Sequence, residues 1–390
     1  MSNFFDQSYY KWNKTTLSWI GAWPEQSSLK RSLIPSLVCV SLWSILVPEV
    51  IRLRALWPDV DALLEWLPPL LVISITKVHL LNGYANREKY QVMLDRIRSD
   101  WKRFEGTPNA DILHKYASHG SWITKVYTVS MYVVCLIYCS FPVTIPIVIE
   151  FFIPSNETSE KVYLFDAEYG VNSDDYYVLI FIHMSVLTYA TCIVMISNDS
   201  MYFVYVEHAC ALFEIVRLEL EKLGSTDIDS KDGRRDVSSE LISSSVHLHR
   251  DAIFFASLIE SSYTACFGGV AVLWLLLLSL TGLQVLMHLH EPGNFIRFLT
   301  FGIAQIAHHY LNCVPGQKIM DYSVGISDNV YSVNWYNMNP KAQKMLLMIM
   351  KRSLTPCQIT AGKLFVISME NYSAVLQKSM SFFTVLTSTR

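Results

Sequence analysis

The sequence predicts an all-α membrane protein that crosses the bilayer seven times, with its N-terminus in the cytoplasm and its C-terminus outside. Three observations support this prediction. Of the 390 residues, 52% are hydrophobic and only 17% are charged, whereas soluble domains carry about 25% charged residues. Apolar runs long enough to cross a bilayer recur along the chain. Lysine and arginine concentrate in alternate segments between these runs.

The spans differ in how clearly they are apolar. The third, fourth and fifth contain no charged residue, while the sixth is uncharged but short. The first ends near Glu49, and the second holds Glu65 and Lys77 near its ends, where long side chains reach the headgroups. The predicted spans are residues 33–51, 62–81, 126–149, 176–196, 261–287, 298–314 and 364–386.

Charge placement gives the orientation. Most of the 31 lysines and arginines lie in segments 1–32, 83–120, 207–250 and 316–363, which all fall on one side of a seven-span chain. That side is predicted to be cytoplasmic. The orientation is the reverse of a G-protein-coupled receptor. In the predicted outer loop, Asn156 begins an Asn-Glu-Thr sequon and is a candidate glycosylation site.

The chain accordingly divides into four predicted regions. Residues 1–32 are a cytoplasmic N-terminus, and residues 33–315 are the first six spans with their loops. Residues 316–363 are a helical cytosolic region, and residues 364–390 are the last span with a short extracellular end. The run Met345–Met350 (MLLMIM) lies between lysines and is predicted to be the buried face of a short helix. The cytosolic helices either form an anchor on which an assembly is built or simply cap the ends of the membrane helices.

Enzyme function has no support in the sequence. It contains no Walker loop and no GxGxxG, GxSxG or HExxH motif, so no catalytic residue, cofactor or metal site is predicted. The near balance of 31 basic and 34 acidic residues gives no field for nucleic acid. His308 and His309, in the sixth span, are open to two interpretations: contact with a ligand or a proton, or helix packing.

The last predicted span is amphipathic. On a helix of 100° per residue, its polar side chains fall on one face, with apolar residues opposite. Polar stripes within a membrane normally face a bundle interior or a water-filled cavity. Hydrogen bonding to a neighbouring helix explains them equally well. The stripe ends at Val385, which would close a pore as a hydrophobic gate. Its polar members are Glu370, Gln377, Lys378 and Ser381.

Several segments, in their order, resemble the insect odorant receptor family over essentially the whole chain. The segment Lys344–Arg352 is followed by Pro356, by Thr360-Ala-Gly-Lys363 and then by a C-terminal signature from Tyr372 to Leu386. Upstream resemblances are Asp175-Tyr-Tyr, Asp199, Glu207–Phe213 and His249.

The resemblance implies an odorant-gated, non-selective cation channel of four subunits in the plasma membrane of olfactory sensory neurons. Family members combine with a shared odorant receptor co-receptor, and the last helix of each subunit lines the pore. Val385 matches the gate valine of the family. Thr389 stands where the co-receptor has leucine, and the long second cytosolic loop of co-receptors is missing. Both departures indicate a tuning subunit.

The resemblance also implies an odorant pocket in the outer half of the membrane, between the second, third, fourth and sixth spans. A mostly apolar lining with a few hydroxyls suits a small volatile ligand. The residues predicted to line it are Leu67, Leu70, Leu71, Ser74, Tyr138, Phe141, Ile145, Tyr177, Phe181, Met184, Phe298 and Phe301.

Two alternatives stay open at this point. A gustatory-type channel of the same superfamily would share the topology but end in a different motif. A G-protein-coupled receptor would need the opposite orientation and normally an outer-loop disulfide, which the eight cysteines do not suggest.

Overall fold

The structure is a computed structural model that describes residues 4–152, 161–225 and 234–388. This part of the chain is almost entirely helical, with one short hairpin. The helices are α1 (Lys11–Trp19), α2 (Ser28–Ser44), α3 (Leu46–Leu56), α4 (Val60–Ala85), α5 (Arg87–Phe104), α6 (Asn109–Phe152), α7 (Tyr177–Ser225), α8 (Arg234–Met287), α9 (Pro292–Ser332), α10 (Pro340–Ser353) and α11 (Met369–Ser388). The antiparallel strands are β1 (Thr360–Ala361) and β2 (Phe365–Val366).

Five segments within the described residues are long and apolar enough to cross a membrane. The first five predicted spans coincide with them apart from residues 148, 149 and 176, so a multi-pass membrane protein follows from the structure as from the sequence. The sixth predicted span is helical within α9, and the seventh is helical from Met369 onward, in α11, but polar side chains interrupt both. The crossing segments are Ser28–Leu56, Ala62–Ala85, Asn109–Ile147, Tyr177–Leu223 and Glu240–Met287.

The first crossing segment consists of two helices, because α2 ends at Ser44 and α3 begins at Leu46. One predicted helix boundary is wrong. The last helix begins at Met369 rather than at residue 364, since the preceding residues form the hairpin. Its turn uses Gly362 and Lys363, both with φ of +62°. In contrast, α8 is one continuous helix that begins at Arg234, well before the fifth predicted span.

The hairpin packs against α8, where two glycines meet. A Cβ on Gly268 would lie 2.8 Å from the Gly362 Cα, so this contact requires a residue without a side chain. The Glu260 carboxylate accepts hydrogen bonds from the Thr360 backbone N–H at 2.6 Å and the Lys363 ammonium at 2.7 Å. The segment that leads into α11 is therefore fixed to α8.

The short helix α10 is amphipathic, as the MLLMIM run predicts. Leu346 and Ile349 are buried, while Leu347 and Met348 are exposed. The Asn339 side chain caps the helix by accepting a hydrogen bond from the Ala342 N–H at 2.8 Å. The buried face packs on α8 and α9, the helices that α10 contacts most.

The protein core is concentrated in the second half of α7. Tyr202, Tyr205 and Phe213 are fully buried there, between α6, α8 and α9. The first half of the same helix carries exposed Val178 and Leu179. Exposed apolar side chains on a membrane-crossing segment have lipid as their natural environment. One helix thus joins a lipid-facing half to a half that is buried in protein.

Candidate functional site

A cavity of about 240 Å³ opens between α4, α6, α7 and α9. We call it the loop-side cavity, because Leu164, Phe165 and Asp166 of the segment before α7 lie over it. Four of the predicted pocket residues contribute to its wall: Tyr138, Phe141, Phe298 and Phe301. The structure thus brings residues of the third and sixth predicted spans together around one cavity.

Tyr138 organises one wall of this cavity. Its ring centroid lies 6.0 Å from that of Phe301 and 6.4 Å from that of Phe141. Its hydroxyl donates a hydrogen bond to the Leu164 carbonyl at 2.8 Å, which ties the overlying loop to α6. Aromatic side chains supply large apolar contact area, and a buried tyrosine hydroxyl needs such a partner.

Charged groups lie at the rim of the loop-side cavity. The Arg52 guanidinium pairs with Asp166 at 2.6 Å, and Arg297 donates to the Tyr163 carbonyl at 3.3 Å. Deeper in the cavity, Thr188 and Thr191 contribute hydroxyls to a lining that is otherwise mainly apolar. A few fixed polar groups in an apolar cavity select small, weakly polar organic molecules.

The predicted residues on α4 lie elsewhere. Leu71 is buried in a cluster with Ile75, Leu277 and Leu280, against which Leu67 also packs. The Ser74 hydroxyl donates to the carbonyl of Leu70 within its own helix, at 2.8 Å. The cavity is instead lined on α4 by Glu65, Pro68, Pro69, Val72 and Ile73. The two sets are offset by about one residue, which is about 100° around a helix.

On α7 the cavity lies further along the helix than predicted. Tyr177 and Phe181 form a stacked pair with ring centroids 6.3 Å apart, and Met184 is buried in the core. Ile145 of α6 is half-buried and lies outside the cavity lining. Five residues of α7 that the sequence prediction did not include line the cavity: Leu187, Thr188, Thr191, Cys192 and Met195. The hydroxyls of the two threonines were the available signal.

The polar stripe of α11 is exposed along its length. Glu370, Gln377, Lys378, Ser381 and Val385 all lie on the surface of this single chain. The side chain of Val385 is 58% exposed. Thr389 and the sequon asparagine Asn156 lie outside the described residues, so their predicted roles stay predictions.

The other side of α11 packs on α8. Ser379 is buried, and its carbonyl accepts a hydrogen bond from the Ser279 hydroxyl at 3.2 Å. The Phe383 ring lies against Gly282. The helix therefore has one face that packs against its own chain and an opposite, polar face that is exposed in the single chain.

A buried polar cluster joins α6, α7 and α9. One Asp199 carboxylate oxygen accepts a hydrogen bond from the Tyr127 hydroxyl at 2.6 Å and contacts His308 Nε2 at 2.8 Å. Asp199 is only 1% exposed. A buried carboxylate persists when it is paired and hydrogen-bonded, as it is here. His308, for which the sequence allowed two interpretations, thus has a specific polar partner.

No metal centre accompanies this cluster: within residues 4–152, 161–225 and 234–388, no group of three His, Cys, Asp or Glu side chains is arranged to hold an ion.

Comparison with known proteins identifies one family. Residues 59–380 match the model described as "7tm Odorant receptor". The chain is 24% identical over 203 residues to odorant receptor 94a of Drosophila melanogaster, a match that covers 50% of each chain. It is 22% identical over 342 residues to odorant receptor 10a of the same species, covering 83% of this chain and 81% of that relative. A 149-residue match at 24% identity reaches the odorant receptor coreceptor of Aedes aegypti, covering 36% of this chain and 30% of the coreceptor.

A solved structure has the same fold. The insect olfactory receptor OR5 from Machilis hrabei, in complex with eugenol, superposes with a TM-score of 0.77 at 13% identity. The match covers 97% of this chain and 98% of that one. The overall architecture is therefore shared over nearly the whole length of both chains, although few residues are the same.

Proposed function

Because the chain belongs to the seven-transmembrane odorant receptor family, we propose that it is the ligand-binding subunit of an odorant-gated, non-selective cation channel. Membership makes it a multi-pass membrane receptor of olfaction, not an enzyme. The proposal goes further in three respects: the ligand site, the pore and the partner subunits.

The two-faced helix α11 is the observation that carries the channel proposal. Its face with Ser379 and Phe383 packs on α8, and its face with Gln377 and Ser381 is exposed. Exposed polar groups in a membrane helix need water or a partner helix. One helix encloses no pore, but four copies around an axis would surround a water-filled path with these residues. Val385 would then form a ring that closes the path by excluding water.

The loop-side cavity is the proposed odorant site. Its volume of about 240 Å³ lies just below the range of about 300–1,000 Å³ that holds drug-sized ligands. A small volatile molecule would contact Tyr138 and Phe301 and reach the hydroxyls of Thr188 and Thr191. Eugenol, with which the Machilis hrabei receptor forms its complex, is a small aromatic molecule of this kind.

A co-receptor is the proposed partner. Odorant receptors 94a and 10a, two of the relatives, are individual receptors, which is consistent with a tuning subunit. The match to a coreceptor supports a partner of the same family. A heterotetramer in the plasma membrane of olfactory sensory neurons is the proposed assembly, with cations permeating and lipid around it.

The experiment is an odorant panel on cells that express the chain with a co-receptor, recorded in excised patches without GTP. An odorant current that persists there requires no G-protein pathway. Loss of every current on patch excision would instead indicate indirect signalling and overturn the channel proposal. Cells that express the co-receptor alone are the control for currents that do not need this chain.

A Val385→Ala variant tests the gate in the same recordings. The smaller side chain widens and wets the proposed constriction, so leak current without odorant should rise. Unchanged leak and unchanged permeation would favour the helix-packing interpretation of the stripe.

A further inference from the structure

Two side chains of opposite charge, Glu370 and Lys378, lie exposed on the polar face of α11. Neither belongs to an ion pair among the residues that the structure describes. In contrast, Lys363, just before the helix, pairs with Glu260 at 2.7 Å. Charged side chains of membrane helices commonly mark the path of an ion or pair with another chain. The chain itself compensates neither of these two charges.

Both charges belong to the face that is proposed to line the pore. On a helix of 100° per residue, Glu370 lies about 20° from Ser381 on one side, and Lys378 lies about 60° from it on the other. Their Cα atoms are about 12 Å apart along the axis, and Val385 lies about 10 Å beyond Lys378. A cation that enters from the N-terminal end of α11 therefore passes Glu370, then Lys378, and then the proposed gate.

The ring of Phe365 holds the Lys378 ammonium near the N-terminal end of the helix. The Nζ atom lies 4.8 Å from the ring centroid, and the face of an aromatic ring attracts a cation. Phe365 belongs to β2, four residues before Met369, where α11 begins. Its partner strand is fixed to α8, since Glu260 accepts a hydrogen bond from the Thr360 N–H at 2.6 Å. The positive charge therefore has a defined position.

This end of α11 is the mouth of the proposed pore on the cytoplasmic side, in the orientation that the charge distribution of the sequence predicts. Fixed acidic groups in a pore concentrate cations, and fixed basic groups repel them. A divalent cation experiences twice the electrostatic energy of a monovalent one at the same place. A single fixed charge at the mouth therefore changes both the amount of cation current and its division between the two kinds of ion.

We propose that Lys378 and Glu370 set how the pore divides its current between monovalent and divalent cations. Lys378 lowers the share carried by a divalent cation such as Ca²⁺, and Glu370 raises it. Phe365 is a positioning residue, which keeps the ammonium at the mouth. These roles rest on the channel function proposed above and add to it the residues that discriminate among the permeating cations.

Charge-neutralising variants test these roles. Each is expressed with a co-receptor, opened with an odorant in an excised patch and measured for the permeability ratio of Ca²⁺ to Na⁺ from reversal potentials. Lys378→Gln should raise the ratio about twofold, the effect of two unit charges removed at about one Debye length from the path in water. Glu370→Gln should lower it by a similar factor. Opposite signs are the signature of electrostatics, since damage to packing does not depend on the sign of the lost charge.

Two controls accompany the pair of variants. Lys378→Arg keeps the positive charge and should keep the ratio of the unaltered chain. Lys102→Gln neutralises an exposed lysine of α5, a helix that packs on α6 and α8, and should also leave the ratio unchanged.

A thiol at the same position gives a second measurement within one folded protein. In Lys378→Cys, a positively charged methanethiosulfonate reagent applied to the cytoplasmic face should restore the low ratio. A negatively charged reagent should raise the ratio above that of the unmodified variant. The chain without this substitution, treated in the same way, reports any effect of its native cysteines.

Odorant currents with the same ratio in Lys378→Gln, Glu370→Gln and the unaltered chain would overturn these roles and leave the channel proposal standing. Shifts in the same direction in both variants would also overturn them. Loss of surface assembly in both, restored by Glu370→Lys combined with Lys378→Glu, would assign the two charges to an ion pair between subunits instead. A chain that gives no odorant current with a co-receptor would overturn the channel proposal and these roles together.

Discussion

The two halves of the bundle contrast in how their charged groups and their interior space are arranged. Around the second half of α7, aromatic side chains fill the interior and the charged groups are paired. Glu207 receives Lys318 at 2.6 and 2.7 Å, and His208 lies 2.9 Å from Asp100. Around the loop-side cavity, about 240 Å³ of space remains beside mainly apolar side chains. The comparison supports a division in which the first region stabilises the fold and the second holds the proposed ligand site.

Two phenylalanine-to-alanine variants test this contrast, and the largest loss of stability is expected from one of them. Phe213→Ala removes a fully buried ring from the filled half, and the expected loss is about 3–5 kcal/mol. Phe301→Ala removes a ring that already borders the loop-side cavity. Because such a ring has fewer neighbours to lose, we expect roughly half that cost or less. Thermal denaturation of the purified variants in one detergent measures both, with exposed Leu347→Ala as control. Equal losses would remove the distinction between the halves.

The next largest effect is expected at the buried ion pair between Glu207 and Lys318. Glu207→Leu leaves the Lys318 ammonium without its carboxylate, and removing one partner of a buried pair costs about 3–5 kcal/mol. Arg98→Ala is the matched control, since it breaks a pair with Glu25 that is more exposed on both sides, worth about 1 kcal/mol or less. The same denaturation assay applies. Similar small shifts for both variants would show that the pairing adds little.

Gly316→Ala probes the contact between α9 and the segment before α11. A Cβ there would overlap the Ile367 carbonyl oxygen, so the backbone must shift, at about 1–3 kcal/mol for overpacking. Because Ile367 lies just before α11, odorant-evoked current should fall more than surface expression does. Gly269→Ala, whose nearest neighbour would be 3.5 Å away, is the control. Equal currents from the two variants would contradict a coupling role for this contact.

The smallest expected effect concerns the cover of the loop-side cavity. Tyr138→Phe removes the hydrogen bond to the Leu164 carbonyl, worth about 1 kcal/mol, and loosens the loop over the proposed odorant site. We expect odorant concentration–response curves to shift by up to about fivefold. Exposed Tyr176→Phe provides the reference. If Tyr176→Phe shifted the curves by the same amount, the effect of Tyr138→Phe would not come from its hydrogen bond over the cavity.

The sequence predicted what hydrophobic patterning determines. The all-α membrane fold, five apolar crossing segments and the amphipathic α10 are examples. The sequence did not determine which residues of α4 line the cavity, because Leu70 and Val72 are both apolar and only packing decides which of them faces it. Nor does the sequence reveal that Asp199 and Tyr127, 72 residues apart, meet inside the bundle. The start of α11 depended on the contact between Gly268 and Gly362, which is also a tertiary feature.

The central claim is that the exposed face of α11 lines a water-filled pore, and two serines of that helix test it most directly. Ser381→Cys places a thiol on the exposed face, and Ser379→Cys makes the same change on the buried face. Each variant is expressed with a co-receptor, opened with an odorant and exposed to a charged methanethiosulfonate reagent. We expect rapid, irreversible loss of current for Ser381→Cys and little change for Ser379→Cys. Equal rates, or faster modification at Ser379→Cys, would contradict it.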